Sequence, residues 1–366
     1  MANVIDYIKW RGDLSLLQDE FNEIDNLILS RFSYFPLDNL IKKDETVSIK
    51  ELSERFKNTD ISKMKILWPN DVDLFPVMGE SKRFGEMKVT KYINKVKPEK
   101  EEQFSAVTII MPDDTLYVSY RGTDNTVVGW KEDLNMSFKS HVAGQLESKK
   151  YLEEISSEYP NELRVGGHSK GGNFAIYASM FAESDVKDRI INIYNNDGPG
   201  FGDDIVQTEE YKGIIKKVNT YIPQESVFGR LLNHEEKYTI VESIEKGFMQ
   251  HDLYTWQVLG NKFIYLKEVT SGSNFIDKSI KDWLKQVDAK QREQVIDIIF
   301  EIINSTNVET VSELKKQWFS NAGTLFKSYR QVDEENRKMI FATLTELLKV
   351  VKNNFIEEHK NQKNKW

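Results

Sequence analysis

Four glycines crowd around one serine in Val165-Gly166-Gly167-His168-Ser169-Lys170-Gly171-Gly172-Asn173, and no other stretch of the chain restricts its backbone as much. Before it, Leu163 to Val165 reads as a short strand. After it, Gly171 to Ala182 carries Phe174, Ala175, Tyr177, Ala178 and Phe181 in a helical pattern. A serine between a strand and a helix, with glycine two residues away on either side, marks a sharp turn whose strained backbone leaves no room for neighbouring Cβ atoms. Such a turn lifts Ser169 above the carboxyl edge of a sheet, beside a helix N-terminus whose N–H groups and dipole favour a developing oxyanion. The same residues could form only a tight loop; the flanking strand and helix favour the nucleophile turn. Adjacent residues on the turn point in different directions, so the useful group of Lys170 is its backbone N–H rather than its ammonium.

The surrounding pattern supplies a sheet. Phe104 to Met111 and Thr115 to Tyr120, joined by Pro112-Asp113-Asp114, read as a hairpin. His141 to Tyr159 reads as helix, and Ile190 to Tyr194 and Val218 to Ile222 as further strands ending at Gly/Pro-containing turns. Strand alternating with helix implies an α/β fold with a largely parallel sheet covered by helices. Residues 1–100 read as a helical and loop segment without evident chemistry, with Ile24, Leu27 and Ile28 at helical spacing. Residues 101–273 form the expected catalytic domain. Residues 274–366 are helical, with Val295, Ile299, Ile302 and Ile303 on one face and Ile340, Leu344, Leu347, Leu348 and Val351 on another. Asp333, ahead of two glutamates, suits a helix start.

Composition narrows the function classes. There are no cysteines, which excludes disulfides, thiolate nucleophiles and cysteine metal sites. A net charge of −8 works against nucleic-acid binding, which needs a basic face. No apolar run is long enough to span a bilayer, and the first residues lack a basic-then-apolar leader, so a cytoplasmic location is expected. No metal or cofactor is expected either: there is no H-E-x-x-H, no Walker loop and no dinucleotide glycine pattern.

Gly167-His168-Ser169-Lys170-Gly171-Gly172, preceded by Tyr120-Arg121-Gly122-Thr123-Asp124 and Trp130-Lys131-Glu132-Asp133, resembles the class 3 (fungal-type) lipases. The chain is more similar to a bacterial family of lipase-like α/β-hydrolases without an assigned substrate, which shares Asn196-Asp197-Gly198-Pro199-Gly200-Phe201 and Gln250-His251-Asp252. The resemblance covers roughly residues 100–260 and implies an α/β-hydrolase fold. It also implies Thr123 as an oxyanion donor beside Lys170. Arg121 and Asp133 are expected to hold their loop as a buried pair or cap. Lipases usually carry an apolar residue or glutamine where this chain has Lys170, which departs from the pattern of a purely apolar acyl-lipid substrate.

A serine hydroxyl needs a base, and a histidine oriented by a carboxylate supplies it. Of the five histidines, His168 adjoins the serine and is read as facing elsewhere, His359 lies in the tail and His141 precedes the nucleophile. Chain order and the family pattern then select His251 over His234. Two carboxylates follow strands between Ser169 and His251. Asp197 is preferred for its short side chain and Gly/Pro-fixed turn; Glu225, where class 3 lipases carry their acid, is the alternative. Asp252 is read as the cap of a helix over Leu253 to Val258. The reading is a Ser-His-Asp ester hydrolase acting on a small or lipid-like acyl ester, with an amidase or acyltransferase using the same triad as alternatives. A different class of reading is a non-catalytic scaffold that binds a partner through its C-terminal helices. The oligomeric state is left open.

Overall fold

The computed structural model of the chain describes residues 2–124, 126–306, 308–342 and 345. Among the described residues eleven strands run in chain order: β1 (Val47–Ser48), β2 (Lys88–Lys97), β3 (Glu102–Ile110), β4 (Leu116–Tyr120), β5 (Leu163–His168), β6 (Ile190–Asn196), β7 (Val218–Pro223), β8 (Tyr238–Val241), β9 (Val258–Leu259), β10 (Lys262–Phe263) and β11 (Tyr265–Leu266). The α-helices named among the described residues are α1 (Val4–Arg11), α2 (Glu23–Phe32), α3 (Ile49–Lys57), α4 (Asp71–Glu80), α5 (Val127–Asn135), α6 (Ala143–Glu158), α7 (Lys170–Phe181), α8 (Ser184–Arg189), α9 (Asp203–Val206), α10 (Glu209–Ile214), α11 (Ser271–Gln286), α12 (Ala289–Asn304), α13 (Val311–Lys316) and α14 (Trp318–Gln331). They fall into two compact units. One contains residues 1–96, 104–122 and 143–269; the other contains residues 97–103, 123–142 and 270–366.

The first unit is built on one nine-stranded sheet of order β1-β2-β3-β4-β5-β6-β7-β8-β11, with β9 and β10 as a separate pair. From β4 to β8 each neighbouring pair is parallel, while β3 joins β4 and β11 joins β8 antiparallel. The central strands β4 to β7 are mostly buried, as expected of a parallel sheet covered on both faces. Tyr117 and Tyr120, three residues apart on β4, lie on opposite faces. Tyr117 donates to Asn26 Oδ1 of α2 at 2.8 Å, and Tyr120 donates to the Ser148 carbonyl of α6 at 2.7 Å. Both α2 and α7 pack against β4, β5 and β6.

The spacing of Ile24, Leu27 and Ile28 does produce a helix, α2, and all three are fully buried. Its first turn holds the carboxylate of Asp25, buried with Arg83. Arg83 Nε donates to Asp25 Oδ1 at 2.6 Å, Nη1 donates to the Asp19 carbonyl at 2.9 Å, and Tyr7 donates to Asp25 Oδ1 at 2.9 Å. Removing one partner leaves a buried charge without compensation. Arg83→Leu is therefore expected to lower unfolding free energy by about 3–5 kcal/mol, read as a shifted urea midpoint. A second buried pair, Arg31 Nε to Asp71 Oδ1 at 2.7 Å, also receives the Tyr254 hydroxyl at 2.7 Å, joining α2 and α4 to a residue three positions after His251.

The second unit is helical. Val127 of α5 packs with Phe300 of α12 and Val308, bordered by Ile296, Ile299, Ile303 and Leu314. Asp333 starts a helix as expected, its Oδ1 accepting the Asn336 N–H at 2.9 Å. Ile340 is buried; Leu344, Leu347, Leu348 and Val351 lie outside the described residues, as does His359. Among the described residues no helix is long and apolar enough to cross a membrane.

Candidate active site

β5 runs to His168, three residues further than the expected strand, and α7 begins at Lys170, so Ser169 alone makes the turn. Its backbone, φ 58° and ψ −135°, is one that side-chain-bearing residues rarely adopt. The flanking glycines permit it. A Cβ on Gly167 would lie 2.3 Å from the Gly171 carbonyl carbon, and one on Gly171 would lie 2.1 Å from the Tyr120 carbonyl oxygen. Backbone, not a flexible side chain, blocks both. Gly171→Ala is expected to cost about 1–3 kcal/mol or more of stability by chemical denaturation. The Ser169 N–H donates to the Asn196 carbonyl of β6 at 2.9 Å, and its side chain makes no cap bond to α7.

Asp197 follows β6 directly, in the left-handed region at φ 54°, and its N–H donates to the Tyr221 carbonyl of β7 at 2.8 Å. It is buried. Oδ2 lies 2.6 Å from His251 Nδ1, and Oδ1 accepts from the Ser226 hydroxyl and, at 3.2 Å, from the Gly229 N–H. An ionised carboxylate only accepts, so the His251 proton sits on Nδ1 and Nε2 is left as the basic nitrogen. The His251 ring contacts two others, with centroids 4.5 Å from His168 and 4.3 Å from Phe228.

The structure therefore brings Asp197 to His251 and places the other expected residues as follows. The Glu225 carboxylate accepts the Gly247 N–H, and the Glu225 N–H donates to Gln250 Oε1 at 2.8 Å. Both contacts hold the 3-10 turn Gly247–His251 that ends in the imidazole. Lys170 opens α7 and is buried, its ammonium 5.5 Å from the centre of the Phe174 ring. Thr123 belongs to the second unit, where its hydroxyl donates to Asp133 Oδ1 at 2.6 Å. Arg121, in the first unit, donates to Asn94 Oδ1 at 3.0 Å. His234 Nδ1 lies 2.8 Å from Glu236 Oε1. Asp252 caps a shorter element than expected: its Oδ1 accepts the Tyr254 N–H at 3.0 Å, opening a 3-10 turn over Leu253–Thr255 before β9. The helix expected up to Val258 is absent because Val258 pairs with Phe263. Among the described residues no group of three or more His, Cys, Asp or Glu side chains could hold a metal ion.

The model of the Mbeg1-like family matches residues 78–301, more than half of the chain. This chain belongs to the Mbeg1-like family. The family is lipase-related. A solved structure, the Rhizomucor miehei lipase propeptide complex, is similar at 16% identity over 42% of this chain and 57% of that one, with a TM-score of 0.33. No curated protein sequence matches the chain.

Several residues around Asp197 and His251 of this Mbeg1-like protein escaped the sequence pattern. Ser226 and Gly229 reach Asp197 from the loop after β7, and Phe228 between them covers the imidazole. Their proximity comes from the parallel pairing of β6 with β7, which no local motif signals. Tyr34, in the segment expected to carry no chemistry, donates to the His168 carbonyl at 3.0 Å. His168, expected to face elsewhere, contacts His251 directly: its Nε2 is 2.8 Å from the His251 carbonyl oxygen.

Proposed function

We propose that this protein is a serine hydrolase of the α/β-hydrolase type that cleaves a carboxylic ester through Ser169, His251 and Asp197. The observation that carries the reading is the 2.6 Å contact between Asp197 and His251 Nδ1, made beside a serine held at φ 58° between a strand and a helix. Ser169 Oγ forms a bond to the ester carbonyl carbon while His251 Nε2 takes its proton. The imidazolium then returns that proton to the departing alcohol oxygen as the C–O bond breaks, and water repeats the sequence on the acyl-enzyme. The Lys170 amide, at the positive end of α7, is the proposed oxyanion donor.

An acyl ester suits the surroundings of the imidazole. Phe248 and Met249, on the turn that carries His251, are 63% and 62% exposed, and the Phe248 ring lies 5.9 Å from Phe228. Exposed apolar side chains beside a reactive group favour an apolar acyl portion. Phe248→Ser is expected to lower kcat/KM for p-nitrophenyl octanoate about tenfold while leaving the acetate nearly unchanged. An equal loss on both esters would remove the acyl assignment. The reaction class is tested by labelling with a fluorophosphonate probe and mapping the adduct by mass spectrometry. The expected adduct is on Ser169; an adduct elsewhere, or none, counts against the hydrolase reading.

A further inference from the structure

His168 stands next to the proposed nucleophile, yet the mechanism gives it no proton to move. Its ring is buried, and its Nε2 is 2.8 Å from the carbonyl oxygen of His251. A carbonyl only accepts, so Nε2 carries the proton and Nδ1 is the bare acceptor. Burial, the neighbouring His251 and the Arg31 guanidinium hold the His168 pKa well below the usual histidine range, which keeps this single neutral tautomer. The other side of the residue meets Tyr34. The Tyr34 hydroxyl lies 3.0 Å from the His168 carbonyl oxygen and 3.4 Å from its Nδ1, and it accepts the Gly122 N–H at 3.0 Å. Gly122 is itself at the nucleophile, since a Cβ on it would stand 3.0 Å from Ser169 Cβ. These contacts form a chain from the end of β4, through Tyr34 and His168, to residue 251.

The rest of the His251 turn is held elsewhere. The Trp256 indole N–H donates to the Gln250 carbonyl at 2.8 Å, and the Gln250 side chain spans the Glu225 N–H and the Glu245 carbonyl. Those bonds fix the turn to its own loop and to the exit of β7. The His168 bond acts at residue 251 and ties it to the neighbour of Ser169.

We infer that His168 and Tyr34 are positioning residues: they lock the backbone of the His251 turn to the nucleophile turn, so that base and nucleophile keep their register while Asp197 orients the ring. What that register serves rests on the hydrolase reading above; the brace does not. A displacement of about 1 Å between reacting groups can cost about 10²-fold in rate, so a bond that adds nothing to the chemistry can still set it.

The test uses the full chain with His168→Leu, His168→Gln and Tyr34→Phe. Leucine keeps apolar bulk, and glutamine restores an N–H donor. For a short p-nitrophenyl ester, His168→Leu is expected to lower kcat about 10- to 100-fold with KM changed less than about threefold; His168→Gln recovers most of that loss, and Tyr34→Phe loses about threefold to tenfold. The second readout needs no turnover: the low-field proton resonance of His251 Nδ1 shared with Asp197. It is expected in the wild-type protein and in Ser169→Ala, weakened or shifted upfield in His168→Leu, and restored in His168→Gln. Wild-type kcat together with an unchanged resonance in His168→Leu overturns the proposal. If that variant does not fold, the same null result in Tyr34→Phe, or failure of glutamine to preserve both readouts, overturns it. A resonance lost with leucine and kept with glutamine, in a wild-type protein that neither hydrolyses esters nor takes the probe, upholds the brace and sinks the hydrolase reading.

Discussion

Ser169→Ala is expected to reduce ester turnover on the order of 10⁴- to 10⁶-fold and to abolish fluorophosphonate labelling, while the protein stays folded. The stability half follows from the turn. The Ser169 side chain makes no cap bond to α7, so its oxygen contributes little to the helix. Alanine and serine carry the same Cβ, so the strained φ of 58° costs both residues alike. Unfolding free energy is expected to change by less than about 0.5 kcal/mol, measured by urea denaturation. The activity half follows from the loss of the atom that bonds to carbon; the oxyanion site and substrate contacts alone leave only residual acceleration. A folded alanine variant that keeps wild-type turnover would mean that Ser169 is only a turn residue, with the chemistry elsewhere.

Asp197→Asn is expected to lower kcat about 10⁴-fold with the fold intact. Asparagine tolerates the left-handed φ of 54° as well as aspartate does, so the backbone has no reason to move. The hydrogen bonds do change. Asp197 faces three donor groups: the His251 Nδ1–H, the Ser226 hydroxyl and the Gly229 N–H. An amide has one acceptor oxygen. If that oxygen serves Gly229, the NH₂ confronts Nδ1, the imidazole must move its proton to Nε2, and it can no longer accept one from serine. If the oxygen serves His251 instead, the NH₂ is pressed against Gly229 N–H, and the imidazolium formed during reaction has no negative partner. Glu225→Gln is the contrast. Its carboxylate is engaged at the Gly247 N–H, a bond an amide oxygen can keep, so a loss below about tenfold is expected. Steady-state kcat/KM for the two variants on one ester decides between the carboxylates. A large loss in Glu225→Gln with near-normal activity in Asp197→Asn would reverse the assignment.

The parts of this molecule readable from residues alone are those governed by short-range sterics. Glycines two positions either side of Ser169, a short strand signal at Leu163 to Val165 before it and a helical pattern after it leave the backbone few options, and the observed β5-turn-α7 follows. The hairpin of β3 and β4 and the strands β6 and β7 were readable for the same reason: β-branched and aromatic runs ending at Gly, Pro or Asp have a local explanation. Element ends were less so. The strand before the serine runs to His168 because Gly166, Gly167 and His168 find partners in Tyr194, Asn195 and Asn196 of β6, and glycine carries no strand signal of its own.

The composition of the site was only partly readable. Ser169, His251 and both candidate carboxylates could be named from motif and chain order, but residues 197 and 251 meet only because β6 and the 3-10 turn after β8 end on the same side of the sheet. Ser226, Gly229, Phe228 and Tyr34 carry no pattern that marks them. Tyr34 reaches His168 across 134 positions, and α2 brings it there by burying Ile24, Leu27 and Ile28. Sequence by itself determined the local turn, the alternation of strand and helix and the set of groups able to do acid-base chemistry, because those depend on each residue and its near neighbours. Tertiary structure alone decided which carboxylate stands 2.6 Å from the imidazole and what braces that imidazole, because sheet order and helix packing set distances between segments that share no local signal.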